Sequence, residues 1–334
     1  MDNLPLVSVV IVNFNGRQYL KKCLDSLLAG TYKNFEIILV DNGSSDGSME
    51  FIRQNYPAIK IIDNKNNLGL AVASNKAAEV AQGKYLFFYN NDTIADEYLI
   101  EKLVNKMEGD SSIGICGCRT YTYDGKNIIN EGVPCDIFGY PYGKGKPFYV
   151  DAAIFIRKDL FYKIGGFDEK MFLYGEDRDI CWRIWLYGYK VEVVKDAIFF
   201  HDSACIKENL RQYQTSINKR FLGEFNALRS ILKNYSLPAL YFILPAFISI
   251  NIAEMFIFLL KGQIKVIRQA YIKSYLENIR CLSDTLHKRS RIQRERAISD
   301  LKLMRNMLKV SGKFKLLLDM GIPDFSEKSK YGYC

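Results

Sequence analysis

The 334-residue chain is long enough for one large domain with an appendage, or for two domains, which excludes a single small binding module. With 49% hydrophobic and 25% charged residues its composition is that of a globular protein and not of a disordered one. The net charge of +9 gathers beyond Lys261, and the N-terminal two thirds is close to balanced with no basic stripe interleaved with aromatics, so no nucleic-acid partner is expected. The eight cysteines are scattered without CxxC spacing and read as reduced thiols.

The first apolar run, Val7–Val12, is short and β-branched with no basic residues before it, which reads as a strand and not a signal peptide and leaves the N-terminal part in the cytosol. A helical pattern follows, with Tyr19, Leu20, Cys23, Leu24, Leu27 and Leu28 as its apolar stripe. Strand-like Glu36–Val40, Lys60–Ile62 and Lys84–Tyr89 then alternate with further helical patterns, the mark of an α/β fold with a mostly parallel sheet. From Cys116 to Phe148 the pattern loosens into Gly, Pro, Tyr and Asn and reads as a long loop system beside a site. A strand in YVDAAIFIRK, a turn at Gly165–Gly166, a helix over Glu176–Tyr187 and a strand at Val191–Val194 complete the first region. Three parts are predicted: 1–208, a connecting helical segment 209–235, and an apolar then basic helical region 236–334.

In an open α/β sheet, ligands bind at the carboxyl ends of the strands. Short polar residues follow each apolar run here: Asn13, Asn15 and Gly16, then Asp41 to Ser45, then Asn66, Asn67 and Gly69, then Asn90, Asn91 and Asp92. Any one of these sets is also what a turn or helix cap uses, and in DNGSSDGS either Ser44 or Ser45 could start the next helix with Asp46 favouring its dipole. Four such ends in succession point to one crevice.

The segments VSVVIVNFNG, ILVDNGSSDGS, NNLGLAVASNKAAEVAQGKYLFFYNNDT and FLYGEDRDICWR, in this order and spacing across residues 5–205, resemble family 2 glycosyltransferases, most closely the bacterial rhamnosyltransferase-like branch. The resemblance implies a GT-A fold, Rossmann-like, and inverting transfer of a sugar from a nucleotide-diphosphate donor such as dTDP-rhamnose or a UDP-sugar to a lipid-linked or other membrane glycan acceptor. It implies donor contacts from Val12, Asn13, Asn15, Asp41, Ser44, Asn67, Gly69, Asn75, Asn90, Asn91 and Asp92. The triplet Asn90, Asn91, Asp92 matches the acidic metal motif but keeps a carboxylate only at its last position, so Asp92, with His201, would hold Mg²⁺ or Mn²⁺ on the diphosphate. Asp177 matches the general base, Glu176 would orient the acceptor or the base, and Asp151 and Asp179 fall in the acceptor or sugar pocket. The plain alternatives are an N-cap for Asp92, a satisfied structural role for His201, and dipole pairing for Glu176 and Asp177.

Pro238–Leu260 has the length of a membrane span, yet Pro245, Asn251 and Glu254 interrupt it, and an ionised Glu at mid-bilayer costs roughly 2.5 to 3.5 kcal/mol. A single span would also carry the basic tail away from the cytosol. Segments lying in the interface or a re-entrant hairpin on the cytoplasmic face of the membrane are therefore expected. Ile264, Ile267, Tyr271, Tyr275 and Ile279 form the apolar stripe of a following basic helix, which suits an anionic leaflet or, alternatively, packing in a homodimer. Two other functions compete: a sugar-phosphate nucleotidyltransferase, against which NFNGRQY is poor in Gly, and a non-catalytic sugar-nucleotide scaffold, which would have no need for Asp92, Asp177 and His201 together.

Overall fold

The computed structural model describes residues 4–143, 145–202 and 215–325. The chain forms two compact units, the first comprising Met1–Val133, Pro147–Phe172 and Tyr189–Cys205, the second Pro134–Lys146, Leu173–Gly188 and Ile206–Cys334.

The first unit is built on the β-branched runs read from the sequence. It contains β1 (Val7–Asn13), α1 (Arg17–Ala29), β2 (Phe35–Asp41), α2 (Ser48–Asn55), β3 (Lys60–Asp63), α3 (Leu70–Val80), β4 (Tyr85–Tyr89), β5 (Thr93–Ala95), α4 (Leu99–Gly109), β6 (Ile113–Thr122), β7 (Ile128–Asn130), β8 (Ala153–Arg157), α5 (Lys158–Lys163) and β9 (Lys190–His201). The sheet order is β3-β2-β1-β4-β8-β6-β9-β5, with β7 on β6. Pairing is parallel from β3 to β4 and mixed beyond, because β8 runs against both β4 and β6 while β6 and β9 are parallel. The register sets Asn13 opposite Asp41 and Asp41 opposite Asp63, so the polar residues that follow the apolar runs share one edge. Val9, Ile11, Leu39, Phe87 and Phe155 fill the core under Leu20, Leu24 and Leu103 of the covering helices.

Three local expectations change. Cys116 to Thr122 belongs to β6, flanked by β8 and β9, and Gly117 sits where a Cβ would lie 2.3 Å from the Val150 side chain, so its Gly serves close packing in place of a loop. On α1 only Leu20, Cys23, Leu24 and Leu27 are buried, while Leu28 is exposed. The helix after β2 starts at Ser48, not at Ser44 or Ser45, because Asp46 takes the Ser48 N–H at 3.0 Å and leaves those serines to the site.

The second unit holds α6 (Glu176–Leu186), α7 (Ile217–Asn234), α8 (Leu237–Leu260), α9 (Ile264–Val266), a π-helical turn (Ile267–Ile272), α10 (Lys273–Arg280), α11 (Leu282–Glu295), α12 (Asp300–Met304) and α13 (Gly312–Met320). Residues 209–235 were expected as a connection; from Ile217 onward they are α7, which packs against α6, α8, α10 and α11, and 209–214 lie outside the described residues. The stripe expected along 264–279 also divides: Tyr271 is fully buried with Phe258, Val266 and Ala270, so part of it is core.

The centre of this unit is ionic. Lys313 of α13 reaches Glu224 of α7 at 2.6 Å, Glu254 of α8 at 2.9 Å and Asn251 of α8 at 2.7 Å. Arg220 bonds Glu254 at 2.7 Å, and Tyr140 and Asn251 donate to the second oxygen of Glu224 at 2.6 and 3.2 Å. Burial alone would raise the Glu254 carboxyl, but Lys313 and Arg220 outweigh it and hold it at about 2. A cluster in which every carboxylate has cationic partners tolerates burial, whereas removal of one member strands the others. Lys313→Ala should therefore lower the unfolding free energy by about 3–5 kcal/mol in a urea titration. A loss near zero would show that the cluster contributes nothing to stability.

Candidate active site

Asn13, the last residue of β1, is fully buried, and its amide joins three strand ends. Its nitrogen donates to Asp41 at 3.0 Å and to the Ser44 hydroxyl at 3.1 Å, and its oxygen accepts from Asn91 at 2.8 Å. A Cβ at Gly16 would lie 2.2 Å from the Asn91 nitrogen and 2.5 Å from the Asn13 oxygen, so the loop after β1 closes over this pair only because residue 16 has no side chain. Asp41 accepts from the backbone of Gly43 and Ser44 at 3.1 and 2.8 Å, and from the Ser44 hydroxyl at 2.7 Å. Its carboxylate is thus engaged on both oxygens in shaping the β2 end. Asn15, in the left-handed region at φ 51, accepts from the Ser45 N–H at 2.8 Å and donates its own N–H to Ser44 at 2.8 Å. The β1 and β2 loops are stitched into one wall, and Asn15 stands exposed on it.

The β3 end joins through Asn42, whose amide donates to the Gly69 carbonyl at 3.3 Å and accepts from Asn64 at 2.8 Å, while Asn67 takes the Gly69 N–H at 3.0 Å. Gly69 has φ 84, and a Cβ there would sit 2.7 Å from the Phe172 carbonyl, which the Leu70 N–H binds at 2.8 Å. Phe172 is therefore tied to the start of α3. Asn75 is spent on backbone, accepting from Phe167 N–H at 2.9 Å and donating to its carbonyl at 3.0 Å. Any influence it has on a donor passes through this turn. Val12 is only partly buried at the end of β1.

At the fourth strand end, Asn90 anchors the backbone through its N–H to Ala152 at 3.2 Å, and Asp92 meets His201 at 3.1 Å. Strand pairing enforces that contact, because Thr93 of β5 is registered with His201 of β9. Burial alone would lower the His201 pKa, but Asp92, Asp151 and Asp202 outweigh it and the net shift is upward. Asp151 accepts from Asn130, and burial pushes its carboxyl up. No cluster of three metal-ligating side chains occurs among the described residues; Asp92 and His201 bring one carboxylate and one imidazole together. That oxygen and nitrogen set fits a divalent ion whose remaining ligands come from a diphosphate and water. Sequence reasoning missed Tyr123, which donates to the Asp92 carbonyl at 3.0 Å, as well as Asn130 and Asp202. Tyr123 and Asn130 lie in the stretch read as irregular loop, where nothing marks one polar residue over another.

In the second unit, Tyr174 and Gly175 both have positive φ, 67 and 117, and Asn226 of α7 clamps the turn by donating to the carbonyls of Leu173 and Tyr174 at 2.9 and 2.7 Å. The turn opens α6 with Glu176 buried and Asp177 partly exposed. Burial first, and the charge of Asp177 second, push the Glu176 carboxyl up to about 8. Asp179 corrects the expectation placed on it. It is fully buried, takes Arg183 at 3.0 Å and Lys233 at 3.1 Å, and accepts from Ser230 and Asn234 at 3.1 and 3.2 Å, so it locks α6 to α7 and has no oxygen left to offer an acceptor.

The family model for Glycosyl transferase family 2 matches residues 8–165. An uncharacterized glycosyltransferase of Rickettsia typhi is 30% identical over 248 residues, covering 68% of this chain and 71% of the relative. An uncharacterized glycosyltransferase of Haemophilus influenzae is 38% identical over 148 residues, 43% of this chain and 44% of the relative, so that match spans less than half of either protein. Among solved structures, the mannosyltransferase PcManGT from Pyrobaculum calidifontis in complex with GDP-Man and Mn²⁺ has the same fold, with a TM-score of 0.54 over 88% of this chain and 87% of that one at 15% identity.

The raised Glu176 carboxyl carries a stability signature. The native state holds a proton that the unfolded chain releases near its ordinary carboxylate value, so stability should fall as pH rises from about 4.5 to about 8. Glu176→Gln removes the titration, and denaturant midpoints measured across this window should show a flatter pH dependence for the variant. Parallel curves for both proteins would mean that Glu176 is ionised in the native state.

Proposed function

The chain belongs to glycosyltransferase family 2, and from that premise we propose that it transfers a sugar with inversion from a pyrimidine nucleoside-diphosphate donor to a hydroxyl of a membrane-linked glycan or polyprenyl-diphosphate oligosaccharide. Its activity on nucleotide sugars follows from the family. The observation that supports the finer reading is the convergence of three strand ends on Asn13, which gathers Asn15, Ser44 and Asn91 at the carboxyl edge of the sheet, where α/β folds bind nucleotides. The rhamnosyltransferase-like resemblance makes dTDP-rhamnose or a UDP-sugar the donor to try first.

In this reading Asp92 and His201 would hold Mg²⁺ or Mn²⁺, which would supply charge neutralisation for the departing diphosphate. Asp177 accepts the proton of the acceptor hydroxyl as that oxygen bonds to the anomeric carbon and the bond to the diphosphate breaks. Glu176, its carboxyl raised by burial, would donate a hydrogen bond to the acceptor or to Asp177. Asp151, between Asn130 and His201 in its interactions, lines the donor-sugar side. The second unit holds the protein against the cytoplasmic face of the membrane, where such acceptors are found.

Calorimetric donor binding and transfer to lipid-linked acceptors, measured on the same variants, separate these roles. Asp177→Asn is nearly isosteric and should keep donor affinity while transfer falls by roughly 10²-fold to 10⁴-fold. Asp92→Ala should instead lose the gain in donor affinity that the metal confers. Near-normal transfer by Asp177→Asn would remove it as the base, and a metal gain unchanged in Asp92→Ala would remove Asp92 from the metal shell.

A further inference from the structure

Helix α8 is long and apolar enough to cross a membrane, but it is divided along its length. Ile243, Phe247, Asn251 and Phe258 are buried, and Glu254 turns to the same side to meet Arg220 and Lys313. On the other side Leu237, Tyr241, Phe242, Ile252, Phe256 and Leu260 are each more than half exposed, and Ser249 is the one polar residue on that outer stripe. Neighbouring helices also carry exposed apolar residues. A crevice lined by Leu237, Pro238, Leu286, Arg289, Ser290 and Gln293 sets the start of α8 beside α11, and the π-helical turn packs on α8 and leads to exposed Ile272, Leu276 and Ile279. An exposed apolar stripe of this length marks an interaction surface.

Charge selects its occupant. Residues 261–294 contain nine Lys and Arg against two acids, Glu277 and Asp284. Both acids are already paired, with Arg280 at 2.5 Å and with Lys288 at 3.3 Å, while Lys261, Lys265, Arg268 and Lys273 stand exposed among the apolar side chains. A two-fold dimer through this face would lay the basic stripe on its own copy. An anionic lipid surface satisfies both the cations and the apolar residues.

We infer that the second unit is monotopic: α8 lies in the plane of an anionic leaflet with its outer stripe among the acyl chains, and the exposed cations of the 261–280 segment bind the headgroups. The exposed stripe runs the whole length of α8, about 36 Å at about 1.5 Å per residue, so contact along all of it requires the helix to lie flat. A spanning α8 would have to carry Asn251, Glu254 and their partners into hydrocarbon or break the cluster. This deepens the reading of a membrane-borne acceptor and rests on that reading only for what the acceptor is.

The test is vesicle flotation of the full chain without donor or acceptor, so that failed docking and failed transfer are separate results. The protein should float with phosphatidylcholine–phosphatidylglycerol vesicles, much less with phosphatidylcholine alone, and less in high salt. Lys265→Glu with Lys273→Glu should weaken partitioning by roughly fivefold or more per cation lost. Phe242→Ser with Phe256→Ser should release the protein while circular dichroism stays unchanged. Phe242→Trp, Ile252→Trp and Leu260→Trp, each read as quenching by brominated lipids beyond that of the native Trp182 and Trp185, should report the same shallow depth. A much deeper position for 252 than for 242 and 260 would show a span, and a dimer that ignores anionic vesicles would assign the face to a second copy; either result overturns the inference.

Discussion

One buried amide governs the geometry of the candidate donor crevice. Asn13 hands its two hydrogens to Asp41 and Ser44 and takes one from Asn91, so the ends of β1, β2 and β4 cannot move independently. Parallel pairing brings those ends to one edge, but pairing alone fixes backbone and not side chains. The amide supplies the rest, and because it is fully buried, leaving any partner unmatched would cost about 1–3 kcal/mol. Gly16 is a consequence of it, since the loop above the Asn13–Asn91 pair has no room for a Cβ.

The second unit resolves a different constraint by the same means. An apolar 24-residue helix carrying Asn251 and Glu254 is a poor membrane span, and the structure turns both residues inward to an ion cluster anchored by Lys313. What remains outside is almost wholly apolar. The same division occurs around α6, where Asp179 faces inward to Arg183 and Lys233 and leaves Glu176 and Asp177 at the strained turn of Tyr174 and Gly175. In both places buried charge pairs set which side of a helix faces inward.

How much of this could be read beforehand depends on the range of the interactions. The first four strands, α6 and the alignment of polar strand ends follow from local apolar runs and their flanking residues, which is why the place of Asn13 and Asp41 at one sheet edge was legible. β6 was not, because its Gly117 and Cys116 make sense only against Val150 and the strands on either side. Asp179 looked like one acid among three at a helix start, and its partners lie some fifty residues away on α7. The stripe of Tyr271 and Tyr275 had the period of a surface helix, but Asn251 and Phe258 of α8 claim those rings for the interior.

The joined strand ends matter most for function if they form the nucleotide site. Titration calorimetry of uridine and thymidine diphosphates with Mn²⁺, on the native protein and on Asn13→Ala, measures this most directly. Loss of the shared amide should weaken the preferred nucleotide by roughly tenfold or more, in line with one or more stranded buried partners, while the circular dichroism spectrum is kept. Unchanged affinity in a folded Asn13→Ala protein would place the nucleotide elsewhere and contradict the account.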